Sequence, residues 1–172
     1  MDKPKGLADR IETWMKKIPG VRTYMEREHR RETDKKLREH LASRLQEARS
    51  RLKKITLDLS AQNQMESLAR LDRFSSRLQQ MADAIRYASY GYSGVFDLEK
   101  IREDELDRLY SFDLLLVDHL DRIQKGVEEV GRASSAFARE KKAEEAEAVL
   151  DALEIQFNRR KELIMAPAPP GA

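Results

Sequence analysis

The stretch LASRLQEARSRLKKITLDLS, residues 41–60, decides the fold. Its apolar side chains recur at alternating intervals of four and three residues, the heptad spacing of helices that pack along their whole length. These positions are Leu41, Leu45, Ala48, Leu52, Ile55 and Leu59. The pattern therefore predicts a long helix with one buried seam, which other helices of the same chain must cover.

Helical periodicity continues on both sides of this stretch. The first long helix is predicted to run from Val21 to Ser60, and Asn63 with Glu66 forms a capping-box variant that starts the next one. That second long helix is predicted to end at Tyr90. Apolar spacing then returns twice, over residues 106–130 and 146–164. Between these two segments, residues 126–135 contain two glycines and two serines, which favours a chain reversal over one bent helix.

The predicted fold is all-α, an antiparallel up-and-down bundle of three to four long helices over residues 21–165. A short amphipathic helix is expected within residues 1–20, and the Pro/Ala-rich residues 166–172 are expected to form a disordered tail. Charged residues make up 37% of the chain and aromatic residues only 6%. This composition is typical of long helices and coiled coils.

The residue types exclude several chemistries. The chain has no cysteine, so disulfides, thiol catalysis and Cys-based metal sites are excluded. Glu26 and His29 match half of a di-iron bundle motif, but the required second Glu-x-x-His element is absent. The sequence therefore predicts no metal, no cofactor and no catalytic residue. No apolar run is long enough to span a bilayer and the N-terminus has no signal-peptide pattern, so the sequence predicts a cytoplasmic protein, with a peripheral location at a membrane as the alternative.

Charge is distributed unevenly along the chain. Residues 1–60 carry 17 Lys and Arg against 10 Asp and Glu, whereas residues 98–172 carry 12 against 17. A basic half and an acidic half are expected to pair with each other inside one bundle. The alternative is a basic face that binds an anionic ligand, either a small molecule or a nucleic acid.

The N-terminal segment GLADRIETWMKKI, residues 6–18, places its large apolar side chains on one helical face, and Pro19-Gly20 ends it. Such a face suits a membrane surface, and it equally suits packing on the bundle or on a partner. The residues of this predicted interfacial helix are Leu7, Ile11, Trp14, Met15 and Ile18.

The stretch RYASYGYSGVFD, residues 86–97, is rich in tyrosine and glycine and is predicted to form a structural corner. Gly91 is expected to follow the end of one helix in the left-handed conformation, and Asp97 is expected to cap the next helix. Tyrosine pairing and a hydrophobic staple complete the motif. The corner residues are Tyr87, Gly91, Tyr92, Gly94, Phe96 and Asp97.

Two further features place charge in the predicted core. The heptad seam becomes polar when it is extended backward from Leu41, and the helix geometry brings that part of the seam to the tyrosine-rich corner. The cluster is expected to be a satisfied ion network, or else an anion pocket, formed by Arg31, Asp34, Arg38, Arg86 and Tyr90. Separately, Asp113 falls on a core stripe, where it needs a basic partner; Arg73 and Arg77 are predicted to supply it.

Residues 18–41, IPGVRTYMEREHRRETDKKLREHL, and residues 85–101, IRYASYGYSGVFDLEKI, resemble a family of bacterial helical proteins. The shared pattern is I-P-G, Y, R-E-x-D-K-x-L-R and G-Y-x-G-x-F-D. The resemblance covers roughly residues 6–125 and implies a helical fold. It implies no activity, so no catalytic residue is carried over.

The features together favour a non-enzymatic interaction or scaffold protein. The expected partner is a second copy of the chain or a partner helix, with a membrane surface as a further contact, and nucleic acid is not expected. The alternative is an anionic ligand bound by the basic first long helix and the tyrosine-rich corner.

Overall fold

A computed structural model describes residues 30–88 and 103–165. In these residues the chain forms four α-helices and no strand: α1 (Arg30–Ala61), α2 (Leu68–Arg86), α3 (Glu103–Arg132) and α4 (Ala136–Met165). The predicted all-α bundle is confirmed. The N-terminal segment, the Pro/Ala-rich tail and most of the tyrosine-rich corner lie outside the described residues.

The seam predicted on α1 is buried. Five of its six apolar positions contribute to the core and Ile55 is partly buried, while Leu37 extends the seam by one further turn. At 32 residues, α1 is about 48 Å long, so a continuous seam covers most of the length of the bundle. Burial of these leucines is the main stabilising contribution of α1.

The turn after α1 differs from the predicted capping box. Asn63 has a positive φ of 56°, and the N–H of Gln64 donates to the carbonyl oxygen of Leu59 at 2.9 Å. The N–H of Asn63 also donates to the carbonyl oxygen of Ser60 at 3.0 Å. These bonds form a Schellman motif, in which the left-handed position is usually glycine and sometimes asparagine. Asn63 therefore ends α1 and does not cap α2, which begins after Ser67.

The end of α2 was also placed wrongly from the sequence. The helix ends at Arg86, and Tyr87 is its C-cap. The sequence had instead predicted that the helix continues to Tyr90, with Tyr87 in its last turn. The Tyr87 side chain is 74% exposed. The other corner residues, Gly91, Tyr92, Gly94, Phe96 and Asp97, lie outside the described residues, so their predicted roles stay predictions.

The chain reverses between α3 and α4, as the loosened periodicity indicated. The Oγ of Ser135 accepts a hydrogen bond from the N–H of Ala138 at 3.2 Å, which makes Ser135 the N-cap of α4. Arg139 then joins this turn to the earlier one, because its guanidinium donates to Gln64 and Ser67. Both hairpin turns therefore lie at the same end of the bundle.

Each hairpin pairs two antiparallel helices. In the first hairpin, Arg38 contacts the carbonyl oxygen of Arg86, and Gln46 contacts Gln79 farther along α1. In the second, Asp113 contacts Arg160, and residue numbers on α4 fall as those on α3 rise, since Lys142 contacts Glu129. The core lies between these two hairpins.

The two hairpins pack with their neighbouring helices running in the same direction. Helix α1 lies beside α3, where Arg44 contacts Asp121 and Arg51 contacts Glu128. Helix α2 lies beside α4, where Arg70 contacts Glu147. Helices α2 and α3 consequently lie diagonally across the bundle, although they follow each other in sequence.

Candidate functional site

A network of four charged side chains lies inside the bundle at the end opposite the hairpin turns. Asp34 and Arg38 belong to α1, Asp113 to α3 and Arg160 to α4. The guanidinium of Arg160 donates through Nε to Asp113, and its Nη2 lies 2.8 Å from Oδ1 of Asp34. Arg160 is 1% exposed and Asp113 is 0% exposed, so this contact is removed from water.

Arg38 extends the network toward the end of α2. Its Nε donates to Oδ2 of Asp34 at 2.9 Å, and its Nη1 donates to the carbonyl oxygen of Arg86 at 3.0 Å. Carbonyl groups at a helix C-terminus have no partner within the helix, so Arg38 satisfies a group that would otherwise need water. The network thus ties α2 to α1, α3 and α4.

Within the described residues, this network places two carboxylates against two guanidinium groups. Isolated buried charges are strongly unfavourable, and pairing with an opposite charge offsets part of that penalty. This arrangement has the features of a structural ion network, because the cationic groups are already engaged by carboxylates of the same chain.

The structure brings together part of the cluster that the sequence proposed. Asp34 and Arg38 contact each other, and Arg86 contributes its backbone carbonyl oxygen. Arg31 lies in the first turn of α1, and Tyr90 lies outside the described residues.

The partner predicted for Asp113 was wrong. Arg77 contacts Asp151, whereas Asp113 contacts Arg160. The prediction assumed that α3 faces α2, but these helices are diagonal and α3 packs on α4 and α1. A signal for Arg160 was present, since the apolar seam of α4 steps from Phe157 to Ile164 and leaves residue 160 at the missing helical position.

A second set of ion pairs joins the outer edges of the two hairpins. In each of these pairs the arginine belongs to the first hairpin and the carboxylate to the second. The pairs are Arg44–Asp121, Arg51–Glu128, Arg70–Glu147 and Arg77–Asp151. Arg44 and Arg51 belong to the basic residues 1–60 and their partners to the acidic residues 98–172, so parts of these two segments face each other across the bundle.

A double-mutant cycle on Arg70 and Glu147 should give a coupling free energy of about 0.5–1 kcal/mol, measured by urea unfolding of the two single alanine variants and the double variant. This pair is the least exposed of the four, and its atoms lie 2.8 Å apart. The cycle on the more exposed Arg51 and Glu128 should give a smaller value. Equal or absent coupling in both cycles would contradict the assigned role of these pairs.

The shifted pKa values are explained by this packing and pairing. Burial lowers the pKa of His40 and the nearby Arg44 lowers it further, so the imidazole is neutral near pH 7. The hydrogen bond from Arg77 to Asp151 raises the pKa of that guanidinium. Both shifts therefore follow from burial and from charged neighbours in the contacts between the two hairpins.

A groove of about 530 Å³ lies on the outer side of the α3–α4 contact. Its floor is formed by small residues, among them Gly126, Ala146 and Ala152. Lys142 at its rim bonds to Glu129 and Glu145. Among residues 30–88 and 103–165, no group of histidine, aspartate and glutamate side chains could hold a metal ion.

Several large apolar side chains remain on the surface. Phe137 is 80% exposed and Ile155 is 54% exposed, both on α4, and Leu57 on α1 is 69% exposed. Sequence reasoning placed the apolar contact surface in residues 6–18 and missed Phe137 and Ile155. The sequence pattern could have identified these two residues, because α4 carries apolar residues on more than one face.

Comparison with protein-family models, curated proteins and solved structures finds no match to this chain. Within the described part of the chain, every helix is too short or too polar to cross a membrane.

Proposed function

We propose that the protein is a non-enzymatic interaction or scaffold protein of the cytoplasm that self-associates or binds a partner helix. Its N-terminal segment supplies an additional contact, at a membrane surface or on a protein.

One observation carries this proposal, the division of charged and apolar side chains between the inside and the outside of the bundle. In an enzyme, charged side chains of the active site face the substrate. Here the charged side chains inside the bundle contact each other, in the buried network of Asp34, Arg38, Asp113 and Arg160. Large apolar side chains such as Phe137 lie on the surface, where they are available to a partner.

The alternative of an anionic ligand has less support. Arg38, Arg44 and Arg51 of the basic first helix each contact a carboxylate of the same chain. An anion would have to compete with these carboxylates for the guanidinium groups.

Sedimentation velocity of the full chain from about 1 µM to about 1 mM tests the proposal, because weak protein contacts fall in this range. We expect the sedimentation coefficient to rise with concentration. Flotation with vesicles that contain anionic lipid should be run in parallel. A chain that stays monomeric and does not bind vesicles would contradict the proposal.

Deletion of residues 1–20 separates the contribution of the N-terminal segment. We expect the melting temperature to stay unchanged, since Pro19-Gly20 is predicted from the sequence to separate this segment from the bundle. Loss of vesicle binding would assign the segment to a membrane, and a smaller hydrodynamic size would assign it to self-association. A large fall in melting temperature would instead make the segment part of the core.

A further inference from the structure

Helix α4 carries a second apolar stripe on the face opposite the core. Ala148 follows Phe137 by 11 residues and Ile155 follows Ala148 by seven, intervals close to whole numbers of helical turns. The three side chains therefore lie along one side of α4, and each of them is exposed. The core-facing seam of the same helix, which includes Leu150, Leu153 and Phe157, is buried on the opposite side.

The stripe continues through charged positions at heptad spacing. Starting from Phe137, steps of four, three, four, three and four residues give an alternating seam, and its members are exposed. This seam, called the outer seam below, consists of Phe137, Lys141, Glu144, Ala148, Asp151 and Ile155.

We propose that the outer seam is the surface through which two copies of this chain associate, as an antiparallel pair of α4 helices. The inference rests on the proposed function, because it names the partner and the surface for self-association. In an antiparallel pair, the first and last members of the seam oppose each other, so Phe137 packs on Ile155 of the second copy. The two-fold symmetry makes this contact occur twice.

Charge selects the antiparallel direction. With Phe137 opposite Ile155, Lys141 lies opposite Asp151 of the second copy. Oδ1 of Asp151 already accepts from Arg77 of its own chain, but its carboxylate is 56% exposed and can also meet Lys141. Glu144 lies opposite the small Ala148. In a parallel pair in register, Lys141 would lie opposite Lys141 of the second copy, and Asp151 would lie opposite Asp151 of the second copy. Such like-charge contacts are unfavourable. The second copy therefore matches the seam in both shape and charge only when the helices run in opposite directions.

The contact is expected to be weak and reversible. From Phe137 to Ile155 the seam spans about 27 Å of helix, and only its two ends carry large apolar side chains. We therefore expect the contact to bury less than the roughly 1,000 Å² of surface that a stable interface buries. Glu140 and Glu154 flank the seam, and their like charges approach each other across the two-fold axis. We therefore expect a dissociation constant in the micromolar to millimolar range.

Sedimentation of full-length variants tests the surface. Phe137→Ser combined with Ile155→Ser should weaken dimerisation at least about tenfold, since each copy loses both large apolar contacts. Leu57→Ser is the matched control, because it removes an exposed leucine of similar size from α1 and should leave dimerisation unchanged. Thermal melting should show that both variants fold, as the replaced side chains are exposed.

Cysteine cross-linking tests the direction of the helices. The chain has no native cysteine, so Lys141→Cys and Asp151→Cys chains each carry a single thiol. A mixture of the two should form a disulfide-linked heterodimer under mild oxidation. Either chain alone should cross-link little, because the two copies of one position lie 10 residues, about 15 Å, apart along the antiparallel pair.

The outcomes separate this inference from the proposed function. A wild-type dimer that the double serine variant leaves intact would overturn the outer seam as the surface, while self-association itself would stand. Efficient cross-linking of the Lys141→Cys chain to itself would overturn the antiparallel direction. A wild-type chain that is monomeric up to about 1 mM would overturn the inference, and the proposed function would then depend on the vesicle result.

Discussion

Replacement of Asp113 with alanine is expected to lower the free energy of unfolding by about 3–5 kcal/mol, the range measured when one partner of a buried ion pair is removed. Asp113 is fully buried and contacts Arg160, which is 1% exposed. Without it, the guanidinium groups of Arg38 and Arg160 would share the carboxylate of Asp34 within the described network. Urea unfolding followed by circular dichroism measures the change.

Two variants accompany this measurement. Asp113→Asn keeps the size of the side chain and an oxygen that can accept from Arg160, so it should destabilise the protein less than alanine does. Asp121→Ala removes the exposed partner of Arg44 and should cost no more than about 1 kcal/mol. If Asp113→Ala and Asp121→Ala lower stability equally, the buried network is not the structural element described above.

Replacement of Gly126 with valine is expected to lower the free energy of unfolding by about 1–3 kcal/mol, the usual effect of overfilling a packed contact. Helices α3 and α4 approach closely at this point. A Cβ on residue 126 would lie 2.7 Å from the Cβ of Ala146, which is attached directly to the backbone of α4 and cannot rotate away. The helices would therefore have to separate.

The second described glycine of α3 supplies the control. A Cβ at Gly131 would lie 3.1 Å from Cδ1 of Ile55, the end of a flexible side chain that can move aside. Gly131→Ala should therefore be neutral, or stabilising by up to about 1 kcal/mol through helix propensity. In the Gly126→Ala variant, Ala146→Gly should restore the space between the helices and recover part of the lost stability. A stable Gly126→Val protein would show that α3 and α4 do not meet at this position.

Local features of the sequence were predicted where the physical signal is itself local. The heptad spacing of α1 correctly identified its buried seam, because every third or fourth residue of a helix faces the same side. Asn63 was placed in the turn between two long helices, but its role was reversed, since asparagine is favoured both at an N-cap and in the left-handed position after a helix. The end of α2 at Arg86 was missed for a similar reason, because glycine at position 91 is only one way to end a helix.

The sequence by itself determined that the chain is a helical bundle, that its basic and acidic halves differ in charge, and that Asp34 and Asp113 fall on core-facing stripes. Only the tertiary structure decided that Arg160 lies between these two carboxylates and that Gly126 meets Ala146. The physical reason is that periodicity specifies which face of a helix is buried, whereas several helices with similar apolar seams could cover that face. The choice among them depends on the packing of the whole bundle, in which α3 lies beside α1 and α4 and diagonally across from α2.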